Sequence, residues 1–189
     1  MRLLRLVAAA LLAAALSACI GQVAEVPEDR FYRLAEPSVP AGLPALQIDG
    51  TVAVARPFSD GLHTERAVLY IESERPLRIM RHHYDFWADS PPVLIQEHLV
   101  EFLRRAGVAG RVVRSESTLE RSLLIEPRLE RFERILDPGG DAVAVALEFT
   151  VQGEGEPRIL RYEVRRPVDG EGLYLSLIHI SEPTRLRRI

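Results

Sequence analysis

The chain has 189 residues, 47% of them hydrophobic and 27% charged, with a formal net charge of −3. That length and balance suit one globular domain with tails, and exclude a disordered chain and a multi-span membrane protein. The small net charge gives no reason to expect nucleic acid as a partner, and all 24 basic residues are arginine. The one cysteine, Cys19, excludes an internal disulfide framework and a multi-cysteine zinc site.

Residues 1–19 read as an address. Arg2 and Arg5 form a positive start, and Leu6 to Leu16 form an uncharged apolar run. The run is shorter than the about 20 residues a membrane-spanning helix needs, and it suits a secretory signal. Leu16-Ser17-Ala18-Cys19 resembles a bacterial lipobox. That resemblance implies cleavage after Ala18, diacylation of the Cys19 sulfur and acylation of the new N-terminus. The alternative is an ordinary signal peptide carrying an unrelated cysteine. Two or three acyl chains, at about 0.8 kcal/mol per buried methylene, would anchor a domain stably. Ile20 rather than Asp follows the cysteine, which by analogy with enterobacterial sorting favours the outer membrane. Residues 19–29 then read as a lipidated tether.

A domain over 30–174 follows. Phe31 to Leu34 reads as a short strand stopped by Pro37 and Pro40. Leu46 to Ala55 is β-rich, with Gly50 placed for a bulge and Pro57 limiting the strand. Ala67 to Ile71 is a third run, and Leu77 to His82 is expected to pair with it through a turn over Glu72 to Pro76. Pro91 to Ala106 is the clearest helix. Asp89 and Ser90 offer caps, Pro91 and Pro92 suit the first turn, and Gly107 suits the stop. Leu94, Ile95, Leu99, Phe102, Leu103 and Ala106 make one apolar stripe at helical spacing, expected to cover a sheet. Ser122 to Glu133, Ala142 to Val151 and Arg158 to Arg166 read as a meander, turning at Asp137–Gly140 and Gly153–Pro157. Pro127 points to an edge position or an interruption in the first of these strands. About six strands with one amphipathic helix give an α+β, sandwich-like domain with a mixed or antiparallel sheet.

Leu175 to Ile189 does not continue this pattern. It resembles translated sequencing-adapter DNA joined to a shortened reading frame, so 175–189 is expected to be non-native. The alternative is a short strand followed by a basic tail. Without the signal and this tail, 19 arginines face 26 acidic residues, a charge of −7. A sheet with two apolar faces needs cover on both, and a second helix after Val168 would complete the layer.

No catalytic or metal-binding motif stands out. G-x-S-x-G, H-E-x-x-H and a phosphate-cradling glycine loop are all absent from the sequence. His82 and His83 with Asp85 could suggest a metal, but neighbouring strand residues point to opposite faces and cannot readily share one ion. His98 falls within the helix, where a structural role is expected. The expectation is a protein without catalytic, metal or cofactor sites.

Several segments in order resemble the ABC-type transport auxiliary lipoproteins, the PqiC-like family. They are the lipobox, Phe31-Tyr32-Arg33-Leu34, Val52 to Pro57, Gly61 to Arg66, Val68-Leu69-Tyr70, and Tyr84-Asp85-Phe86-Trp87 leading through Pro91-Pro92 into the helix. The resemblance implies a domain like the TolB N-terminal domain and an auxiliary role in an MCE-type lipid transport system. A periplasm-spanning MCE-family protein and a membrane permease would be the partners, and a homo-oligomer could form. Members continue into a C-terminal helix, which this chain would lack. Trp87 is either a core residue or a partner contact, and Gly61 and Leu62, in an expected loop, are the better candidates for an exposed contact. The competing reading is a lipoprotein that itself carries lipid in a cavity.

Overall fold

Glycine and proline set the turns from which the architecture grows. In the computed structural model, residues 27–41 and 48–168 are described. Asp137-Pro138-Gly139-Gly140 closes one hairpin: Gly140 has φ +127°, its N–H reaches the Asp137 carbonyl at 2.9 Å, and the Gly139 N–H reaches the Asp137 carboxylate at 2.8 Å. Gly155, with φ +103°, closes the next.

The strands are β1 (Arg30–Tyr32), β2 (Ile48–Val54), β3 (Ala67–Glu72), β4 (Arg75–Trp87), β5 (Ala109–Arg114), β6 (Leu123–Leu136), β7 (Ala142–Gln152) and β8 (Arg158–Pro167). The helix α1 (Pro91–Arg105) lies between β4 and β5, and a 3-10 turn covers Gly61–Thr64. The class is α+β with a mixed sheet. β3–β4, β6–β7 and β7–β8 run antiparallel, while β1–β4, β2–β5, β2–β6 and β3–β6 run parallel.

β6 is the spine. One edge pairs with β7 from Leu124 to Ile135, and the meander continues into β8. The other edge is shared: Leu123–Ile125 take β2, and Arg134–Leu136 take β3. Between them Phe58 bridges to Arg128, its N–H on the Pro127 carbonyl at 2.9 Å and its carbonyl receiving the Leu129 N–H at 2.8 Å. Pro127 therefore lies within a central strand, where the β2 ladder has ended and the missing donor costs no pair. Both expectations for Pro127 are corrected: β6 is central and runs unbroken through Pro127, which pairs with Phe149, and only the β2 ladder stops short of it.

Three further expectations are revised. β5 was not expected at all. β4 is far longer than Leu77 to His82, and Pro76 sits inside it, leaving only Ser73 and Glu74 to turn. β1 stops at Tyr32 instead of Leu34. The bulge at Gly50 is present: the β2–β5 register shifts between Ile48 and Thr51, and Gly50 has φ +96°.

α1 follows its capping chemistry. Pro91 and Pro92 remove two of the N–H groups that a helix start leaves unpaired, while Val93 and Leu94 donate to the Ser90 carbonyl at 3.0 and 3.1 Å. At the other end Gly107, with φ +63°, donates to the Arg104 carbonyl at 3.0 Å, and Val108 donates to that of Leu103 at 3.3 Å. These two bonds form a Schellman stop, and Val108 and Leu103 pack on one cluster beside it.

The helix buries two neighbouring clusters. Ile95 packs with Val68, Trp87, Leu129, Phe132, Val143, Val145, Leu147 and Val164; Val100 packs with Val52, Val54 and Val112; Leu99 touches both. The expected stripe is thus rotated: Gln96 and Val100 are buried, while Phe102 is only half-buried. Ile71, Ile135, Ala142 and Ala144 form a separate cluster on the opposite face of the sheet. The signal segment, Cys19, most of the tether and residues 175–189 lie outside the described residues, as does the region after Val168 where a second helix was expected.

Candidate functional site

The densest polar chemistry gathers where β1 meets β4. β1 runs parallel to the end of β4, with Arg30 beside Asp85 and Tyr32 beside Trp87. Arg30 and Asp85 therefore project on the same side. Asp85 is 4% exposed, yet its carboxylate is well supplied with donors. Arg30 Nε lies 2.8 Å from Oδ1, its second nitrogen 3.1 Å from Oδ2, the Tyr32 hydroxyl donates to Oδ1 at 2.9 Å, and His82 Nδ1 lies 3.3 Å from Oδ2. A buried carboxylate is tolerated only when paired and hydrogen-bonded in this way.

Each partner is tuned by that setting. Burial pushes the Tyr32 hydroxyl above its ordinary value of 10.0, with the hydrogen bond to Asp85 adding to the rise. Burial also lowers His82 below 6.5, although the Asp85 charge opposes the shift. His82 is accordingly neutral at neutral pH and donates from Nδ1, leaving a buried Nε2 without a hydrogen-bond partner. Tyr70 covers its ring at 4.6 Å, and an Arg134–Asp141 pair lies on the neighbouring strand turn. With two cationic nitrogens, a hydroxyl and an imidazole already committed to it, Asp85 is a structural acceptor that fastens β1. His82 and His83 do not converge on an ion, and no group of three or more metal-type ligands occurs among the described residues.

Trp87 completes the same corner from within. It is 3% exposed, its ring packs on Phe132 with centroids 4.9 Å apart, and its backbone N–H donates to the Arg66 carbonyl at 2.6 Å. The core alternative therefore describes Trp87, and the partner-contact alternative does not, because no ring surface is left outside. Gly61, at φ +55°, opens the exposed 3-10 turn, where Leu62 is half-buried. Nothing brings Gly61 and Leu62 together with Trp87 at one surface. Cys19 lies outside the described residues.

Two features escaped the sequence reading. Gln96 is 1% exposed beneath β2, donating to the Val54 carbonyl at 3.0 Å and to Glu116 at 3.0 Å. A polar residue at helical spacing carries no signal of which way it points. The second feature is the outer edge of β4. β1 covers it only at Asp85–Trp87, and no other described strand pairs there, so Arg75–Tyr84 present an open edge. Leu77 is 98% exposed on this edge, and Ile79 and Tyr84 are also exposed.

A cleft of 1290 Å³ lies at the far end of the sheet, where Asp49, Arg111, Glu120, Arg121, Glu154 and Arg158 contribute to its walls. Charges of both signs line it together with Ile48, Leu119, Leu123, Leu124 and Val151, so its walls are mixed polar and apolar.

No family model and no curated protein matches the chain. Among solved structures it is similar to protein XCC0632 from Xanthomonas campestris, described under family-model DUF330, with a TM-score of 0.64 at 15% identity over 76% of this chain and 81% of that one. A second crystal structure, described as that of an uncharacterized protein, matches with a TM-score of 0.59 at 13% identity over 78% and 85% of the two chains. At such identities the likeness is one of fold.

Proposed function

We propose that this protein is an outer-membrane lipoprotein, anchored through Cys19, that serves as a non-enzymatic auxiliary component of an ABC/MCE-type intermembrane lipid transport system. The observation that carries the reading is the lipobox Leu16-Ser17-Ala18-Cys19 placed shortly ahead of an α+β sheet domain. The ordered resemblance to auxiliary lipoproteins, from Phe31 to Pro92, supports the transport role. Asp85, the most buried carboxylate of the β1–β4 corner, is fully engaged in holding the fold, which supports docking over catalysis. The second reading, a lipid carrier, is less favoured because charges of both signs stand among the apolar walls of the cleft at the far end of the sheet.

The test uses the full chain expressed in a Gram-negative host with labelled fatty acid. Label on the native chain and none on Cys19→Ala is expected, together with recovery of the native chain in outer-membrane fractions. Detergent co-purification with an MCE-family protein is the expected second result. An unlabelled native chain would overturn the anchor, and a labelled chain that never co-purifies with an MCE-family protein would overturn the transport role alone.

A further inference from the structure

The free edges of the sheet share an unusual charge. No acidic residue occurs from Arg75 through Tyr84, while Arg75, Arg78 and Arg81 recur there at three-residue intervals, followed by His82 and His83. The two outermost strands are basic as well: β5 carries Arg111 and Arg114, and β8 carries four arginines against one acid, Glu163. A chain whose overall charge is negative has thus concentrated cations along its unpaired backbone.

An open strand presents a row of unmatched N–H and C=O groups and recruits another strand unless something prevents it. Here the arginines select what may pair. Antiparallel pairing of β4 with a second copy about Arg78 would set Arg78 against itself and Arg75 against Arg81, and like charges directly opposite are destabilising. The edges of β5 and β8 offer six arginines against one acid, Glu163, so another copy supplies little to match them. Pro27–Asp29, the described residues ahead of β1, run as exposed chain outside any strand.

We propose that the outer edge of β4, Arg75–Tyr84, is a docking site for an extended segment of a partner protein that carries acidic residues at three-residue intervals among apolar ones. The backbone of the edge supplies the hydrogen bonds, as in strand addition generally, and the side chains supply the choice. Arg78 makes no ion pair with another described residue. Arg75 and Arg81 have only exposed partners, Glu72 at 3.5 Å and Glu65 at 3.2 Å, which an incoming carboxylate can replace. Leu77 and Ile79 offer apolar contacts on the same stretch, and exposed Phe31, stacked on Phe86 at 5.8 Å with Arg66 above it, extends the surface at the β1 end. The proposal concerns this edge alone and stands apart from lipidation and lipid transport.

The probe is a capped nine-residue peptide with glutamate at every third position and valine between, titrated into the detergent-solubilised full chain. A lysine–valine peptide and an N-methylated glutamate–valine peptide serve as controls. Binding of the acidic peptide at least tenfold tighter than either control is expected, with amide exchange slowed over residues 75–84. The triple variant R75E/R78E/R81E, its folding checked by thermal melting, should reverse the preference toward the lysine peptide. Equal binding of the acidic and basic peptides, equal binding of the N-methylated peptide, or an unchanged preference in the variant would overturn the proposal.

Discussion

Arg30 and Asp85 meet across β1 and β4 with Nε and Oδ1 2.8 Å apart, although the arginine side chain is 65% exposed and the carboxylate 5%. The asymmetry matters because the acid, once buried, has no water to fall back on. Removing Asp85 should cost about 1–3 kcal/mol, since the Tyr32 hydroxyl then loses its acceptor. The double-mutant cycle Arg30→Ala with Asp85→Ala, read by urea denaturation, should give a coupling above the roughly 0.2–1 kcal/mol of a fully exposed pair. A coupling near zero would show that Arg30 merely rests on the surface.

Gln96 gives a second prediction. Gln96→Leu keeps similar volume but removes the donor to Val54 and to Glu116. The Val54 carbonyl still receives the Ser115 N–H at 2.8 Å, so the loss falls mainly on the ordering of the segment after β5. Equilibrium unfolding should register about 0.5–1.5 kcal/mol, the ordinary net worth of one such bond. Amide exchange near Glu116 should quicken while the core remains slow. Unchanged exchange there would remove the role assigned to Gln96.

At Gly50 the geometry leaves no room for a side chain. A β-carbon there would lie 2.1 Å from Ser122 Oγ, and φ is +96°. Gly50→Ala should therefore cost about 1–3 kcal/mol from backbone strain, plus the clash. Adding Ser122→Gly should restore only part of the loss, because it relieves the contact and not the dihedral. Full restoration, measured by melting temperature, would show that the dihedral is not strained.

The pH response follows from two histidines. Burial lowers both His82 and His98 below the ordinary 6.5, partly opposed at His82 by Asp85 and at His98 by a hydrogen bond to the Ala35 backbone. In the window between 6.5 and the lowered folded values, the unfolded chain binds protons that the folded chain does not. Stability is therefore fully present above about pH 6.5 and declines as the pH falls through that window. Melting temperatures from pH 8 to pH 5 should show the decline, and the variant H82Q/H98Q should flatten it. An equal slope in the variant would assign the decline to other groups.

How much was legible beforehand divides along local and distant causes. α1 could be read almost to the residue because its signals are local: two prolines at the start, a glycine at the stop and an apolar stripe between. The meander was equally plain, because β7 alternates valine and leucine against alanine between two glycine turns. β5 was invisible, since Ala-Gly-Arg-Val-Val-Arg is short and its stability comes from parallel pairing with β2, many residues earlier. Pro127 was ambiguous for the same reason, because where β2 ends is a tertiary fact. The Asp85 corner joins residues more than fifty positions apart, Arg30 and Tyr32 to Asp85, and no spacing rule announces such a meeting. The lipobox resemblance rests on Leu16–Cys19 and the lipoprotein resemblance on ordered segments, whereas the open β4 edge is visible only once strand neighbours are known.

The shortness of β1 has a mechanical consequence. Pro27–Asp29 lead into the described domain through a three-residue strand lying parallel to the end of β4. Tension arriving along the chain from that side loads those few backbone bonds and the Arg30–Asp85 pair together, in shear, before it reaches the clusters under α1. The buried carboxylate is thus placed as the cleat of the molecule, the point at which a pull on the leading segment is taken up or let go.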